Sequence, residues 1–488
     1  MKHTKKNTPF HLRAIDAPFV LTIFGASGDL AKLKIFPSLY AMALQKRFPK
    51  QYTIVGYGRT KMTRSEFHRV VKESVVTHVG TDIKLSVLNA MVARMYYFTG
   101  QYDERKDFIS YRAYLKNTCK VTPKTPHIAY FSTPPVVFHD IIKHLAETRK
   151  TKKEDLRLVI EKPFGTSKKS AETLFHFVSQ YFEEDQFYLL DHYLGKSSVQ
   201  SILNMRRANR LLSNIINGQE VANIQITAFE SVGVEKRISY FEHVGIVRDI
   251  IQSHLFQILG LVMMNIPGSH TAKSLQREKN NIIEAISCPC DKSNIVVGQY
   301  KTYTKQTGVK KQSKTETFAA VRLFVDLQEW NNVPIYIRTG KKLHEKHTYV
   351  VIELKKFPFQ KKSEQPNRIS IEFFPEPKIT IALINYQEGL ETYQEVTSSA
   401  SIACNIEGCL PEHADLLLDV INQERMHFLS FEEIISSWSI VDHVTGHIDK
   451  RHLRMHQYTD GSTGPKAQHQ LLKQDGFCWY DRHINTHT

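Results

Sequence analysis

The chain has 488 residues, of which 41% are hydrophobic and 23% charged, a composition that allows more than one buried core and predicts two domains. No apolar run reaches the roughly 20 residues of a membrane span, and the basic start of the chain lacks the hydrophobic centre of a signal peptide, so we expect a soluble cytoplasmic protein without membrane contacts. The formal net charge of +16 favours anionic partners, either nucleic acid or phosphorylated small molecules.

The basic residues and the cysteines narrow these classes further. The densest basic clusters, near Lys5 and Lys310, lack the interleaved aromatic side chains of a nucleic-acid platform, so solvated surface lysines are the favoured interpretation and nucleic acid is not an expected partner. The six cysteines are too scattered for a disulfide framework, and none has the CxxC spacing of a zinc site. We therefore expect reduced thiols and no metal site.

The first 190 or so residues alternate short apolar runs with amphipathic stretches, after a basic arm at residues 1–16 that we expect to be flexible. Strands that alternate with helical patterns, such as the one at residues 170–182, are typical of a parallel, doubly wound sheet. This half is predicted to be an α/β, Rossmann-like dinucleotide-binding domain. Its predicted strands are residues 19–24, 52–57, 127–132, 156–161 and 187–191.

The first predicted strand runs directly into the turn GASGDLAK, residues 25–32. Glycines in such a turn let backbone amides approach a pyrophosphate, and the helix that follows adds partial positive charge. The spacing is GxxGxxA rather than GxGxxG, and a tight turn without a ligand is the alternative. The apolar face of the segment that follows is predicted as Leu33, Ile35, Phe36, Leu39 and Tyr40.

The end of the second predicted strand bears on the choice of cofactor. An acidic residue there accepts a hydrogen bond from a ribose 2'-hydroxyl, whereas an arginine can pair with a 2'-phosphate. The strand is followed by Arg59, Thr60 and Lys61. This favours NADP over NAD, with an exposed basic loop as the alternative.

Two further strand ends carry polar residues and prolines. Ligands of open parallel sheets bind outside these carboxyl ends. Tyr130 and Thr133 lie at the end of one strand, and Glu161, Lys162 and Pro163 lie at the end of the next. Lys162 stands between apolar residues, which favours a side chain aimed at the crevice over one on the surface. An X-Pro bond at such a position shapes a turn and can be cis.

The last strand of this half ends in the stretch FYLLDHYLGK, residues 187–196, which places four titratable side chains after an apolar run. A helix predicted at residues 247–264 then carries His254 on an apolar stripe with Ile250 and Ile258. A histidine on such a stripe is usually a core residue. If Asp191 faces it, however, the carboxylate fixes the tautomer of the imidazole and makes it a general base.

From about Val221 the chain becomes rich in strand patterns, with the helix at 247–264 as the one long helix among them. We predict an α+β domain with a large, mainly antiparallel sheet. Its predicted strands lie within residues 221–231, 317–326, 334–340, 348–357, 368–374 and 378–385. The expected boundaries are 1–16 for the arm, 17–192 for the nucleotide-binding domain, and 193–488 for a domain that binds the substrate and forms the oligomer.

Five motifs, in this order, resemble those of the glucose-6-phosphate dehydrogenase family. They are GASGDLAK at 25–32, EKPFG at 161–165, DHYLGK at 191–196, RDIIQSH at 248–254 and IRTGKKL at 337–343. The resemblance extends from about residue 19 to the C-terminal stretch at 458–480, which is nearly the whole chain.

The resemblance implies oxidation of glucose 6-phosphate at C1 to 6-phospho-glucono-1,5-lactone with hydride transfer to NADP, the first step of the oxidative pentose phosphate pathway. It implies His254 as general base, Asp191 as the residue that orients it, and Lys162 between cofactor and sugar, in a homodimer or homotetramer. The implied substrate-binding residues are His192, Tyr193, Lys196, Glu230, Asp249, Lys341 and Lys346. The implied cofactor-binding residues are Gly25, Ala26, Ser27, Gly28, Asp29, Leu30, Lys32, Arg59, Tyr130 and Lys162.

The chain departs from the family pattern in three places. Ser253 stands where the family has an asparagine before the histidine, and KRISYFE at 236–242 replaces GRGGYYD. Glu372 and Phe374 occupy a region where some members bind a second, structural NADP through basic residues. We therefore expect this second site to be absent.

Two alternatives stay open at this point. An oxidoreductase of a non-phosphorylated sugar would not need the cations His192, Lys196, Lys341 and Lys346. A catalytically silent dinucleotide sensor or nucleic-acid binder would not need the catalytic set of Lys162, Asp191 and His254, all of which are present.

Overall fold

The computed structural model describes residues 13–80, 82–151, 154–269, 271–289, 293–360, 364–387, 392–404, 408–450 and 453–481. Most of the predicted arm, residues 1–12, lies outside these described residues. The chain divides into two compact units. Unit 1 consists of Met1–Pro163, His176–Gly195 and Asn405–Phe428, and unit 2 of Phe164–Phe175, Lys196–Cys404 and Leu429–Thr488.

Unit 1 contains a six-stranded parallel sheet, as predicted, in the order β3-β2-β1-β4-β5-β6. This is the strand order of a Rossmann fold, in which the order reverses between β1 and β4. The sequence patterns did not predict β3, a five-residue edge strand in which buried and partly exposed residues alternate. The strands are β1 Phe19–Phe24, β2 Tyr52–Gly58, β3 Met95–Thr99, β4 His127–Phe131, β5 Leu156–Glu161 and β6 Phe187–Leu190.

The helices of unit 1 include a short π-helix, named π1, directly after the first turn. They are π1 Ala31–Ile35, α1 Phe36–Leu44, α2 Arg64–Val79, α3 Leu85–Ala93, α4 Arg105–Asn117, α5 Phe138–Glu147 and, from the late segment of this unit, α12 Glu412–Ile421. A further helix, α6 Lys168–Ser179, belongs in part to each unit.

The predicted apolar face of the first helix is correct in four of its five residues and wrong in Leu33, which is 50% exposed. Leu33 lies in π1, whose hydrogen bonds run from residue i to i+5. The wider turn rotates its side chains away from the positions that a 3.6-residue period predicts. The following residues, Phe36, Leu39 and Tyr40, are buried in α1.

Unit 2 contains a ten-stranded mixed sheet that is mostly antiparallel, as predicted. Its order is β15-β14-β13-β12-β7-β11-β10-β9-β16, with β8 paired to β10; the β7–β11 and β9–β16 pairs are parallel. The strands are β7 Val221–Phe229, β8 Ile286–Ser287, β9 Ile295–Tyr300, β10 Phe318–Val325, β11 Ile335–Gly340, β12 His347–Leu354, β13 Arg368–Phe374, β14 Lys378–Gln387, β15 Thr392–Ser401 and β16 Met455–Tyr458.

The expectation of one long helix in this half was wrong, because α11 and α13 have 13 and 20 residues. Both carry many charged and polar residues, which hid their helical pattern. The helices are α7 Ser197–Ala208, α8 Arg210–Ile215, α9 Ile238–Ile246, π2 Val247–Leu255, α10 Phe256–Met263, α11 Ala272–Glu284, α13 Phe431–Lys450 and α14 Gln470–Lys473.

One helical stretch, Ile238–Met263, has the length and apolar composition to cross a membrane, and 94% of its most apolar window is buried inside the protein. The stretch is interrupted at Gly245, whose φ of 69° is not helical. A stretch that is buried to this extent inside the protein is typical of a core helix.

The expectation of reduced thiols was wrong for Cys288, Cys404 and Cys409, which are disulfide-bonded. A disulfide needs only two Cα atoms within about 4 to 7 Å, and scattered spacing along the chain does not exclude that. Cys119 and Cys478 are free thiols, and Cys290 lies outside the described residues. Burial raises the pKa of the Cys119 thiol to about 12, which makes it unreactive.

A buried ion pair joins α11 to α13 in unit 2. Lys279 and Glu433 are 1% and 0% exposed, and their charged groups are 2.8 Å apart. The Lys279 ammonium also donates to the Gln257 side chain of α10, at 2.8 Å. At Gly260 a side chain would lie 3.0 Å from the Lys279 stem, so glycine gives α11 room to pack there.

Replacing Glu433 with Ala should leave the Lys279 ammonium buried without its counter-charge. We expect the free energy of unfolding to fall by about 3–5 kcal/mol, measured as a shift of the urea midpoint. Lys106→Ala, in a surface pair whose lysine is 77% exposed, is the control and should change the free energy by less than about 1 kcal/mol. Equal effects of the two substitutions would contradict this role of the buried pair.

Candidate functional site

The predicted site residues of unit 1 lie at one edge of its sheet. They follow β1, β2, β5 and β6, or lie near the end of β4, and in a parallel sheet these carboxyl ends share one edge. The structure thus brings together the turn at residues 25–32, Arg59, Tyr130, Lys162 and the stretch 191–193. The order of the strands reverses at this edge, between β1 and β4, where ligands of such sheets bind.

The turn after β1 depends on Gly25. Its φ is +82°, and a Cβ atom at this position would lie 2.3 Å from the Ser132 carbonyl oxygen after β4. The Gly25 amide donates to the Tyr57 carbonyl at 2.9 Å, which ties the turn to β2 as well. Any side chain at residue 25 would therefore push the turn away from β4.

Two hydroxyl groups beside this turn have no hydrogen-bond partner among the described residues. They are Oγ of Ser132 and Oγ1 of Thr133, and both are buried. The methyl group of Thr133 would lie 2.9 Å from a Cβ atom at Gly25, so the hydroxyls and the turn are neighbours. Buried, unsatisfied hydroxyls next to a glycine turn at the switch point fit a polar ligand such as a dinucleotide phosphate or ribose.

Arg59 follows β2 with an exposed side chain, and its guanidinium carbon lies 5.5 Å from the centre of the Tyr102 ring. No acidic residue stands between Gly58 and Lys61. This end of β2 therefore offers a cation, rather than a carboxylate, to a ribose.

A cluster around Glu161 was only partly visible in the sequence. Tyr130 is fully buried, and its hydroxyl donates a short hydrogen bond to the Glu161 carboxyl at the end of β5. Nε2 of His413, from α12, lies 3.8 Å from the same carboxyl. No local pattern predicts this contact, because His413 lies 252 residues further along the chain.

Burial controls the protonation of this cluster. It raises the pKa of Glu161 to about 7, and the Tyr130 hydrogen bond, Lys34 and Lys162 oppose that rise. Burial also lowers the pKa of His413 to about 4, with Glu412 acting in the opposite direction and Lys34 in the same direction. At neutral pH the His413 imidazole is therefore uncharged, and Glu161 is close to half protonated.

The Lys162–Pro163 bond that follows Glu161 is cis, as the sequence allowed. Lys162 itself is half-buried at the same sheet edge.

After β6 the chain makes a tight turn around Asp191, which is 0% exposed. Oδ1 of Asp191 accepts from the Tyr193 amide at 2.9 Å, and its carbonyl accepts from the Leu194 amide at 3.0 Å. At Gly195 a Cβ atom would lie 2.7 Å from Leu416 of α12, so the glycine is required by helix packing. The turn leaves His192 and Tyr193 half-buried.

In unit 2, His254 lies in π2 and not in the continuous α-helix predicted for 247–264, which was wrong. In a π-helix, hydrogen bonds connect residues i and i+5. Asp249 and His254 are five residues apart, so they lie about one turn apart along the helix. The sequence period instead placed His254 with Ile250 and Ile258. Asp249 and His254 are 4% and 2% exposed.

Lys341 lies between the two predicted carboxylates of unit 2. Its ammonium makes a short ion pair with Glu230 and lies 3.5 Å from Oδ2 of Asp249. Arg237, from the divergent loop at 236–242, reaches the other Asp249 oxygen at 3.2 Å. The loop therefore adds a cation that was not among the predicted site residues.

Two other predicted residues of unit 2 lie elsewhere. Lys346 is exposed, and its ammonium lies 4.2 Å from the centre of the Phe374 ring instead of joining the pair of Glu230 and Lys341. Lys196 is the residue immediately before the first turn of α7. A lysine ammonium at the start of a helix can add to the attraction of the helix N-terminus for an anion.

These features define a dinucleotide-binding protein with a Rossmann unit and a second unit that carries buried acid, base and lysine side chains. Comparisons with known proteins identify the family. The glucose-6-phosphate dehydrogenase NAD binding domain matches residues 22–201, and the glucose-6-phosphate dehydrogenase C-terminal domain matches residues 203–480.

Relatives match over almost the entire chain. Glucose-6-phosphate 1-dehydrogenase 5, cytoplasmic, of Arabidopsis thaliana is 34% identical over 94% of this chain and 91% of its own. The glucose-6-phosphate 1-dehydrogenase of Streptococcus pneumoniae is 32% identical over 94% of this chain and 96% of its own. A solved glucose-6-phosphate dehydrogenase in complex with its substrate glucose-6-phosphate has a TM-score of 0.89 and 28% identity, and covers 96% of this chain and 99% of its own.

The chain therefore belongs to the glucose-6-phosphate dehydrogenase family. It is an oxidoreductase with a domain for a nicotinamide dinucleotide, as the resemblance of its motifs implied.

Replacing Glu161 with Gln tests the raised pKa of this carboxyl. Its folded pKa of about 7 exceeds the unfolded value of roughly 4.3, so the folded state binds the proton more tightly and stability is lost as pH rises through about 7. The variant should therefore be more stable than the native protein near pH 8, by up to about 3 kcal/mol, and this gain should vanish near pH 4.

The measurement is the urea midpoint of both proteins as a function of pH. Glu73→Gln, at an exposed position of α2, is the matched control and should give no gain that grows with pH. A difference between Glu161→Gln and the native protein that stays constant from pH 4 to 8 would show that Glu161 does not titrate near neutrality.

Proposed function

We propose that this protein oxidises glucose 6-phosphate at C1 to 6-phospho-glucono-1,5-lactone, with hydride transfer to NADP, in the first step of the oxidative pentose phosphate pathway. The observation that carries the proposal is that both family domains match this chain, over 22–201 and 203–480. The five motifs within these ranges contain the charged side chains that the reaction needs. A solved relative of 28% identity is described as a complex with its substrate glucose-6-phosphate.

In this proposal His254 takes the proton of the C1 hydroxyl. A histidine that acts as a general base must be uncharged before the reaction and stabilised as a cation afterwards. The burial of Asp191 supports its role as the carboxylate that orients the imidazole, since a carboxylate in a low dielectric favours the imidazolium strongly. The proton leaves the hydroxyl as the C1–H bond breaks, so that C1 ends as the lactone carbonyl carbon.

The phosphate of the substrate is assigned to His192, Tyr193 and Lys196. The two charges of a phosphate favour charge-assisted hydrogen bonds from an ammonium and an imidazole. The Asp191 turn supports this assignment, because it holds residues 192 and 193 on a backbone fixed by two hydrogen bonds.

The sugar hydroxyls are assigned to Glu230, Asp249, Lys341 and Lys346, with Lys162 between sugar and cofactor. The ion pair of Lys341 with Glu230 supports this, because it fixes a carboxylate and an ammonium side by side as an acceptor and a donor. The Lys346 ammonium lies over the Phe374 ring and would have to leave it to reach a sugar hydroxyl.

NADP is assigned to the turn at residues 25–32, Arg59, Tyr130 and Lys162. When bound, the nicotinamide supplies the acceptor for the hydride. The glycine turn, with no room for a Cβ atom at Gly25, supports the approach of a pyrophosphate, and Arg59 supports the 2'-phosphate. Tyr130 acts through Glu161 in this proposal, because its hydroxyl is committed to that carboxyl.

We also infer a cytoplasmic homodimer or homotetramer. The outer hairpin β14–β15 exposes four large apolar side chains, and such patches are typical of interfaces. They are Leu383, Tyr386, Tyr393 and Val396. One relative carries the description cytoplasmic.

The test of this function is the formation of reduced cofactor, followed by absorbance, with each combination of substrate and cofactor. We expect the highest kcat/KM with glucose 6-phosphate and NADP, and a loss of at least about 100-fold with unphosphorylated glucose, because the phosphate contacts are charge-assisted. Arg59→Gln should reduce kcat/KM with NADP and leave that with NAD nearly unchanged.

If none of the combinations of substrate and cofactor yields reduced cofactor, the proposed activity is wrong. Equal rates with glucose and glucose 6-phosphate would instead leave an oxidoreductase but remove the phosphosugar assignment. An Arg59→Gln variant with unchanged preference would remove only the role of Arg59.

Replacing His254 with Asn should lower kcat by about 100-fold to 10,000-fold, the contribution of a general base, with KM changed only slightly. The matched control is His243→Asn in α9, a histidine outside the proposed site, which should retain kcat. Retained turnover in His254→Asn, with the fold checked by circular dichroism, would remove His254 from the base role.

A further inference from the structure

A cavity of about 300 Å³ lies in unit 1 at the edge of the sheet opposite to the proposed cofactor edge. It is bounded by the end of α4, the loop that leads to β4, and the loop that leads to β5. Its floor includes His127, the first residue of β4, which is 6% exposed. None of the residues assigned to the substrate or the cofactor lines it.

Arg112 of α4 contributes an unsatisfied guanidinium to this cavity wall. Its Nη1 donates to Glu154 at 2.9 Å, while Nε and Nη2 are buried and have no hydrogen-bond partner within the described ranges. Nε and Nη2 form one planar fork that matches a carboxylate or phosphate. A buried charged donor without a partner is costly, and such a group calls for a missing acceptor.

The acidic residues at the cavity do not supply that acceptor. Glu154 is engaged by Nη1 of Arg112 and by the Lys150 amide at 2.9 Å. Asp155 is held in a fork by Arg157, at 2.8 and 2.5 Å. Neither described carboxylate at the cavity is therefore left to pair with the fork of Arg112.

Other cations surround the same site. Lys116 and Lys150 line the cavity with exposed side chains. Burial lowers the pKa of the nearby Arg149. Glu154 raises this pKa, and repulsion by Arg112 lowers it further. Burial and then Arg112 lower the pKa of His127 to about 3, so its imidazole is neutral. The local charge is positive and favours an anion.

The remaining wall is apolar and comes from Leu115, Val121 and Pro123. A cavity of about 150 Å³ suffices to hold a benzene ring, so this one has room for a ring or short chain and an acidic group. We propose that the cavity binds a small organic anion whose carboxylate or phosphate pairs with Arg112, Lys116 and Lys150 and whose apolar part lies on Leu115 and Val121.

Binding requires the Arg112 guanidinium to turn toward the cavity, since Nε and Nη2 are covered in the empty site. Of the three guanidinium nitrogens only Nη1 has a hydrogen-bond partner among the described residues, so the turn would break the Nη1 bond to Glu154 and no other. The ligand would sit where β4 and β5 begin, and the other ends of these strands carry Tyr130 and Lys162. The proposed ligand would therefore lie apart from the residues assigned to the substrate and the cofactor.

The experiment is isothermal titration of the intact protein, without cofactor or sugar, with phenyl phosphate, benzoate and the neutral analogue benzamide. We expect the two anions to bind at least about tenfold more tightly than benzamide. Arg112→Gln should weaken both anions by about tenfold or more, and Lys116→Gln should weaken them by a smaller factor. Because activity is not measured, failure of the proposed enzyme function would not affect this result.

Lys106→Gln is the matched control, since it removes a lysine from the exposed face of α4 outside the cavity. It should leave all three affinities unchanged. If Arg112→Gln does not fold, Lys116→Glu on the exposed rim serves in its place and should weaken both anions. Benzamide binding as tight as benzoate, equal losses in Lys106→Gln and the cavity variants, or no anion binding below about 10 mM would each overturn the proposal.

Discussion

The organisation of unit 1 depends on one close approach, between the turn after β1 and the end of β4. A Cβ atom at Gly25 would lie 2.3 Å from the Ser132 carbonyl, so only glycine lets these two strand ends meet. The sheet is parallel, and its strand order reverses between β1 and β4. In such sheets a dinucleotide binds in the crevice at this point, next to the close approach of the two strand ends. The unsatisfied hydroxyls of Ser132 and Thr133 lie beside it and give that crevice polar groups that are ready for a ligand.

Unit 2 meets a different constraint, because it must hold charged groups in a buried place. Lys341 and Asp249 are buried, and the ion pair of Lys341 with the partly exposed Glu230, together with its approach to Asp249, offsets the cost of burying these two charges. The π-helix Val247–Leu255 adds a wider turn that brings Asp249 and His254 about one turn apart. Such helices are energetically poorer than α-helices and occur often at functional sites, which is consistent with the proposed roles of both residues.

The sequence predicted the features that depend on local pattern. Strand ends such as those before Gly25 and Lys162 follow from apolar runs and the turn residues after them, and the parallel fold then places them at one edge. The sequence could not predict contacts made by distant segments. His413 reaches Glu161 only because the late segment Asn405–Phe428 folds into unit 1, and the π-helical hydrogen bonds around His254 leave no signature in a hydrophobic period. The disulfides were missed because the spacing of cysteines along the chain does not show which Cα atoms lie within bonding distance in the fold.

In the proposed reaction, hydride leaves C1 of the sugar phosphate and reaches the nicotinamide directly. Glucose 6-phosphate that carries deuterium at C1 tests this most directly, with the reduced cofactor analysed by mass spectrometry after one turnover. We expect one deuterium in each reduced cofactor and none in the solvent, because the proposed reaction transfers the hydride from C1 to the nicotinamide without passing through water. Unlabelled reduced cofactor with deuterium in the solvent would contradict it.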